Sequence, residues 1–93
     1  MTDTQMTTIL AALKVDLGIK STTAYDDRLK QIINASADMI TREGAVLDFA
    51  SVEDVQIVVM YAAWLWRRRD TGDGMPRMLR WALNNKILGD KAK

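Results

Sequence analysis

The chain has 93 residues, a formal net charge of +1 and 48% apolar residues, as expected for a single small globular domain covering residues 1–93. It contains no cysteine and no histidine, which excludes disulfides, thiolate nucleophiles and sulfur-rich zinc sites and removes the most common general base and metal ligand. The net charge conceals an uneven distribution, because residues 1–60 carry five basic and nine acidic side chains (−4) and residues 61–93 carry eight basic and three acidic (+5).

A helix is predicted in the first eighteen residues. Apolar residues recur there at intervals of three and four, which is the spacing of one helix face: Met6, Ile9, Leu10, Leu13 and Leu17. Asp3 or Thr4 is expected to cap its start and Gly18 its end. The segment has no basic start, which is unlike a secretory signal peptide.

A second helix is predicted from about Ala24 to Gly44. The hydroxyl side chains of residues 21–23 are candidate caps, and the acidic pair at residues 26–27 favours the positive end of the helix dipole. The expected buried stripe is Tyr25, Leu29, Ile32 or Ile33, Ser36 or Ala37, and Ile40. Neighbouring helical residues point about 100° apart, so this acidic pair is not expected to form a catalytic dyad.

The connection "GAVLDFAS" is unusually apolar, and Val46, Leu47 and Phe49 must be buried in this subunit or in another. Ser51 is then expected to cap a third helix over about 52–69, with Asp54 completing a weaker form of the capping box. Its middle, "IVVMYAAWLW", is apolar on every side, which predicts a central buried helix. Ten apolar residues are too few for a membrane span, which needs about twenty.

A fourth helix is predicted to begin at Pro76 and end before Gly89, with "DKAK" as a mobile tail. Its expected apolar face comprises Met78, Leu79, Trp81, Ala82, Leu83 and Ile87. The glycines of "TGDGMPR" are expected to form a turn rather than a phosphate loop, because no Lys-Ser/Thr follows and Asp73 would repel phosphate. No strand alternation is found, so the sequence predicts an all-α bundle of four main helices around the helix at 52–69.

The candidate site residues are arginines and tryptophans that are concentrated between residues 61 and 86: Arg67, Arg68, Arg69, Arg77, Arg80, Trp64, Trp66 and Trp81. The arginines could form a patch against DNA phosphates, or they could stabilise helix ends and pair with acids. Because the arginine triplet ends the most apolar helix, that helix is poorly suited to lie in a DNA groove. The tryptophans could stack on bases, but their apolar neighbours favour a core or a subunit interface.

Three segments, in this order, give the chain a family resemblance: "YDDRLKQIINASADMI", "VVMYAAWLWRRRD" and "MPRMLRWALNNKI". Together they resemble the head–tail connector (adaptor) proteins of long-tailed bacteriophages and related prophages. The resemblance covers about residues 9–88. It implies a small all-α protein without catalytic residues, cofactor or metal.

The same resemblance implies a place in the neck of the virion, reached by assembly in the cytoplasm of the bacterial host. The expected partners are the portal protein, other copies of the chain in a ring, and a head-closure or tail-completion protein, with non-specific contact to phage DNA and none to a membrane. The arginines and tryptophans above, together with Phe49, are the expected interface residues. The alternative is a small helix-turn-helix DNA-binding regulator, in which Arg77, Arg80, Asn84 and Asn85 would face DNA.

Overall fold

The structure, a computed structural model, describes residues 1–19, 22–71 and 74–91; the side chains of residues 69–71 and 91 fall outside that description. It contains four helices: α1 (Asp3–Leu17), α2 (Asp26–Arg42), α3 (Val52–Thr71) and α4 (Arg77–Lys91). Within the described ranges no residue belongs to a strand. The predicted all-α fold is therefore confirmed.

Helix α3 is the centre of the bundle. The other three helices each pack against it, and α1 and α2 also pack against each other. Every residue from 57 to 63 is buried except Met60, which is half-buried. One fully buried side chain from each helix illustrates the core: Leu13, Ile33, Val58 and Leu83. The prediction that the third helix is buried on all sides is correct for its middle two turns.

Helix α1 is capped one residue earlier than expected. The N–H of Gln5 donates to Thr2 Oγ1 (3.1 Å), and the N–H of Thr2 donates to Gln5 Oε1 (2.9 Å). This reciprocal capping box satisfies two helix-start donors at once, so neither Asp3 nor Thr4 is needed as the cap. At the other end Gly18 has φ 75°, the left-handed conformation predicted for a helix-ending glycine.

Helix α2 begins at Asp26, two residues later than predicted, and has no side-chain cap. The Thr22 hydroxyl instead accepts the N–H of Ala24 (3.1 Å) in the turn before the helix. Tyr25 occupies the cap position and is exposed, so it does not belong to the buried stripe. The rest of the stripe is confirmed: Leu29, Ile33, Ser36, Ala37 and Ile40 are buried.

The apolar connection before α3 is only partly covered by the subunit itself. Leu47 and Phe49 are half-buried against the core, whereas the side chain of Val46 is 72% exposed. The N–H of Asp54 lies 3.5 Å from Ser51 Oγ, where the predicted cap was expected. Val46 therefore remains a residue that a partner could bury.

Helix α4 is longer than predicted. The Pro76 carbonyl accepts the N–H of Arg80 (3.0 Å), which makes Pro76 the cap, and the helix continues through Gly89 to Lys91. The prediction that Gly89 ends the helix is wrong, and Asp90 and Lys91 do not belong to a tail. Asp90 is held by Lys86 (3.2 Å) and by the N–H of Val46 (2.7 Å). Residues 92–93 lie outside the described part of the chain.

Candidate interaction surfaces

Arg67 ties the end of α3 to the end of α1. Its Nη2 lies 3.6 Å from Asp16 Oδ2 and donates to the Asp16 carbonyl oxygen at 3.1 Å. Both side chains are largely exposed, so the ion pair contributes at most about 1 kcal/mol. A cation at this position also complements the carbonyl ends of two helices. For Arg69, the side-chain position falls outside the described residues.

Arg68, Trp64 and Tyr61 contact one another in sequence along one side of α3. The Arg68 guanidinium lies 5.2 Å from the centre of the Trp64 ring, and Trp64 meets Tyr61 edge to face with ring centres 5.4 Å apart. The Tyr61 hydroxyl lies 3.6 Å from the sulfur of Met39. Burial, followed by the carboxylate of Glu43, raises the pKa of Tyr61, although Arg80 and Arg68 oppose the shift. Trp64 therefore packs within the subunit and under an arginine.

Arg80 joins α4 to the end of α2. Its Nη1 donates to Glu43 Oε1 at 2.7 Å, the length of a charge-assisted hydrogen bond. Glu43 is the residue at which α2 ends. Arg80 is consequently engaged inside its own subunit.

Trp66 packs against the start of α2. Its ring meets Tyr25 edge to face, with ring centres 5.5 Å apart and the planes at 74°. This contact accounts for an aromatic residue at the cap position of α2, where a short polar side chain is usual. Trp64 and Trp66 are both half-buried and pack against the core.

Helix α4 carries a second apolar row on its outer side. Leu79 and Leu83 face the core, whereas Met78, Trp81 and Leu88 are each 66–69% exposed. The expected apolar face of α4 is therefore divided between the core and the outer side of the helix, with Met78 and Trp81 on the outer side. Together with exposed Asn85 they occupy positions 78, 81, 85 and 88, at intervals of three, four and three. This set, hereafter the outer row of α4, follows one line along the helix.

A groove of about 630 Å³ runs beside the outer row, between α4 and the first half of α3. Its lining is partly apolar, with Val52, Ile57, Met60, Trp81 and Ala82, and partly polar or charged, with Glu53, Asp54, Gln56, Asn85 and Lys86. Val52 is 83% exposed. Several large apolar side chains exposed close together, as Val52 and Trp81 are here, mark candidate interaction sites. The outer row and this groove are the best candidate for a binding surface on the described part of the chain.

Lys86 forms a cluster that the sequence did not predict. Its Nζ lies 3.0 Å from Asp54 Oδ2 and 3.2 Å from Asp90 Oδ1. The N–H of Asp48 donates to Asp54 Oδ2 (2.8 Å), and Asp90 Oδ2 accepts from Val46. Burial alone would lower the pKa of Lys86, but the hydrogen bonds and charges of the two carboxylates outweigh it and raise that pKa. The cluster fastens the connection before α3 to α4.

The predicted site residues fall into two regions. Trp64, Trp66, Arg67 and Arg68 lie on the second half of α3 and contact α1, α2 or one another. Arg77 and Trp81 are exposed on α4, and Arg80 between them pairs with Glu43. Phe49 is half-buried beneath the connection. Two features were missed: the Lys86 cluster, of which only the Lys86–Asp90 spacing of four was visible in the sequence, and the role of Asn85 in the outer row.

The described side chains show no arrangement suited to metal chemistry. Among them there is no group of three or more acidic residues placed to hold a metal ion. None of the described helices combines the length and apolar composition needed to cross a membrane. Comparison of the chain with protein-family models, with curated proteins and with solved structures finds no match in any of the three.

Proposed function

We propose that the protein is a structural subunit of a phage neck: a head–tail connector that forms a ring below the portal, extends the DNA channel and receives the next neck or tail component. The proposal starts from the resemblance of the three quoted segments to that family. The observation that carries it is the outer row of α4, where Met78, Trp81 and Leu88 are exposed in one line. Large apolar side chains exposed in one line support a role in contact with other protein.

The free subunit leaves several large apolar side chains in water, and this favours binding of a protein that covers them. Burying one large apolar side chain contributes about 1.5–3 kcal/mol relative to leaving it exposed. Three such side chains lie on α4, and Val52 adds a fourth beside the groove. In a chain of 93 residues with a modest core, a partner that covers them would add substantially to stability.

The arginines support the same proposal. Arg67 pairs with Asp16, Arg80 pairs with Glu43, and Arg68 lies over Trp64. These three are engaged within the subunit and do not form one open patch for phosphate. Arg77 is the exposed arginine beside the outer row, where it would serve as a charged rim of a protein contact.

The alternative, a DNA-binding regulator, would use α4 as its recognition helix. The exposed residues of α4 include Arg77, Asn84 and Asn85, which are able to contact bases or phosphates. The same helix also exposes Met78, Trp81 and Leu88. Large apolar side chains are a poor match for a groove edged by phosphates, so this surface favours protein contact over DNA reading.

The test is deletion of the gene from a phage or prophage that encodes it, followed by electron microscopy of the lysate. A connector predicts DNA-filled heads and detached tails, and wild-type protein supplied from a plasmid should restore complete particles. Trp81→Glu should fail to restore them, whereas Asn34→Glu, an exposed change on α2, should succeed. Normal particles accompanied by altered phage transcription would contradict the connector and favour the regulator.

A further inference from the structure

The outward side of α1 is complementary to the outer row of α4. The exposed residues of α1 are small and neutral in the middle and acidic at both ends: Asp3, Thr4, Thr7, Thr8, Ala11, Ala12, Val15 and Asp16. No basic residue is exposed on it, because Lys14 turns inward and pairs with Asp26 at 2.8 Å. Four of these residues, at positions 4, 8, 11 and 15, follow one line at intervals of four, three and four. This line is called the α1 face below.

The hydroxyl of Thr8 does not prevent burial of the middle of the α1 face. Thr7 Oγ1 donates to the Asp3 carbonyl at 2.9 Å, and Thr8 Oγ1 donates to the Thr4 carbonyl at 3.0 Å. Only Thr8 of these two lies on the α1 face, and its donor is satisfied inside the helix, so covering Thr8 with an apolar partner leaves no unpaired donor at that position. The side chain of Thr8 then presents its methyl group to whatever packs against it.

The exposed side of α4 has the opposite properties. It combines the large side chains of the outer row with Arg77, and none of its exposed residues is acidic. Asp90 is half-buried and engaged by Lys86 and Val46. The exposed side of α4 is thus bulky with a basic start, and that of α1 is small with the acid Asp3 at its start, because Asp16 at its other end is already paired with Arg67. Both have 15 residues, or about 22 Å of length.

We propose that the outer row of α4 packs against the α1 face of a second copy of this chain. Rows spaced at three and four interdigitate when two helices cross at a small angle, and large side chains fit best against small ones. Both surfaces are themselves neutral, but Arg77 lies beside the outer row and Asp3 beside the α1 face, and these opposite charges favour this pairing. Pairing of α4 with another α4 would instead oppose two bulky rows and bring two copies of Arg77 together.

The contact joins two different surfaces, so it is head-to-tail. Helices α1 and α4 each pack against α3 by their inner sides, which leaves both outer sides available on the same subunit. Repetition of a head-to-tail contact generates a closed ring when the rotation closes. The inference therefore deepens the proposed function, on which the ring itself rests, by naming the surfaces that join its subunits.

The test uses two blocked variants of the full chain and sedimentation equilibrium. Trp81→Glu blocks the outer row and keeps the α1 face, and Ala11→Glu blocks the α1 face and keeps the outer row. Each position is exposed, so both variants should keep the circular dichroism of the wild type. Asn34→Glu on α2 adds the same charge away from both surfaces and serves as the control. Met78→Glu and Val15→Glu form an independent second pair.

The wild type and the control should show a mass that rises with concentration beyond two chains. Each blocked variant alone should remain at one chain of 10.5 kDa. An equimolar mixture of the two variants should reach two chains and stop, because one intact surface of each kind remains. A wild type that stays at one chain at every concentration would overturn the proposal. So would dimers of Ala11→Glu alone, which would indicate pairing between outer rows, or a mixture that associates no more than its components.

The mixing experiment contains no phage component. Its failure would reject the contact between α4 and α1 and leave the gene-deletion experiment to decide the connector function. Failure of the gene deletion to disturb particle assembly would reject the connector and leave the contact between copies standing.

Discussion

At the scale of single residues, Lys86 connects more of the fold than its position on a surface helix suggests. Its ammonium group contacts the carboxylates of Asp54 and Asp90, and all three side chains are at most 15% exposed. Removing the cation leaves two nearly buried carboxylates close together without their partner, which is strongly destabilising. Lys86→Met should therefore lower the free energy of unfolding by about 2–4 kcal/mol, measured by urea denaturation.

The control for this substitution is a double-mutant cycle with Asp54→Asn. The amide oxygen of asparagine can still accept the N–H of Asp48, so the double variant should recover part of the loss. Lys30→Met, at an exposed position on α2, gives the baseline for losing a surface lysine. Equal losses at Lys86 and Lys30 would show that the cluster does not stabilise the protein.

The alkaline pH dependence of stability follows from the same cluster and from Tyr61. The folded protein raises the pKa of Lys86 above 10.5 and that of Tyr61 above 10.0. A folded-state pKa above the unfolded value means that the folded protein holds the proton more tightly. The stability gained is fully present below about pH 10 and is lost as the pH rises through the folded pKa.

We therefore expect the free energy of unfolding to fall above about pH 10, as followed by urea denaturation at a series of pH values. Tyr61→Phe and Lys86→Met should each make this fall shallower, because each removes one of the two groups. A wild type and variants with the same alkaline slope would contradict the assignment of these two groups.

At the scale of helices, the sequence predicted the elements well and their ends poorly. Helix positions follow from the spacing of apolar residues, which is a local property and which the core confirms at Leu13, Ile33 and Val58. Helix ends depend on which of several adjacent polar groups reaches a backbone donor. The Thr2–Gln5 pair displaced the expected caps of α1, and the contact of Tyr25 with Trp66 replaced a polar cap on α2. Such competition is settled by three-dimensional contacts.

Two glycines test whether the helix ends are assigned correctly. Gly18 has φ 75°, which is strained for any other residue, so Gly18→Ala should destabilise the protein by about 1 kcal/mol. Gly89 lies inside α4, and a methyl group added there meets nothing within 4 Å. Gly89→Ala should therefore stabilise the protein by about 0.5–1 kcal/mol. Thermal unfolding of both variants shows whether each substitution raises or lowers the stability of the protein. If Gly89→Ala destabilised the protein, α4 would end at Gly89, as the sequence predicted, and would not continue to Lys91.

At the scale of the whole molecule, the sequence predicted which residue types form the candidate surface but not which of those residues are exposed. Helix α4 has two apolar lines, one through Leu79 and Leu83 and one through Met78 and Trp81, and both follow helical spacing. Only the packing against α3 decides which line is buried. Ion pairs are equally hidden, since Arg80 and Glu43 are 37 positions apart in the chain. The sequence therefore identified the arginines and tryptophans but not which of them stay exposed.

The exposure of the arginines leads to a prediction about DNA. Arg67, Arg68 and Arg77 are all exposed, but Arg67 is paired with Asp16, as Arg80 is with Glu43, so attraction to phosphate should depend more on Arg68 and Arg77. Binding to duplex DNA should be weak, indifferent to base sequence and reduced by salt. In the Arg68→Gln/Arg77→Gln double variant, the slope of log affinity against log salt should be shallower by about two. Fluorescence anisotropy with several unrelated duplexes measures both properties.

Arg80→Gln provides the matched comparison, because this arginine is engaged by Glu43 at 2.7 Å and its loss should leave the salt slope nearly unchanged.

A DNA-binding regulator would give a different result in the same binding measurement. Direct reading of bases would give tight binding to one duplex, with a single base-pair change costing about 1–3 kcal/mol. It would also make Asn84 and Asn85 as important as the arginines, because amide side chains contact adenine edges. In a connector, replacing these asparagines should leave DNA affinity unaffected, because non-specific attraction depends on charge and neither side chain is charged.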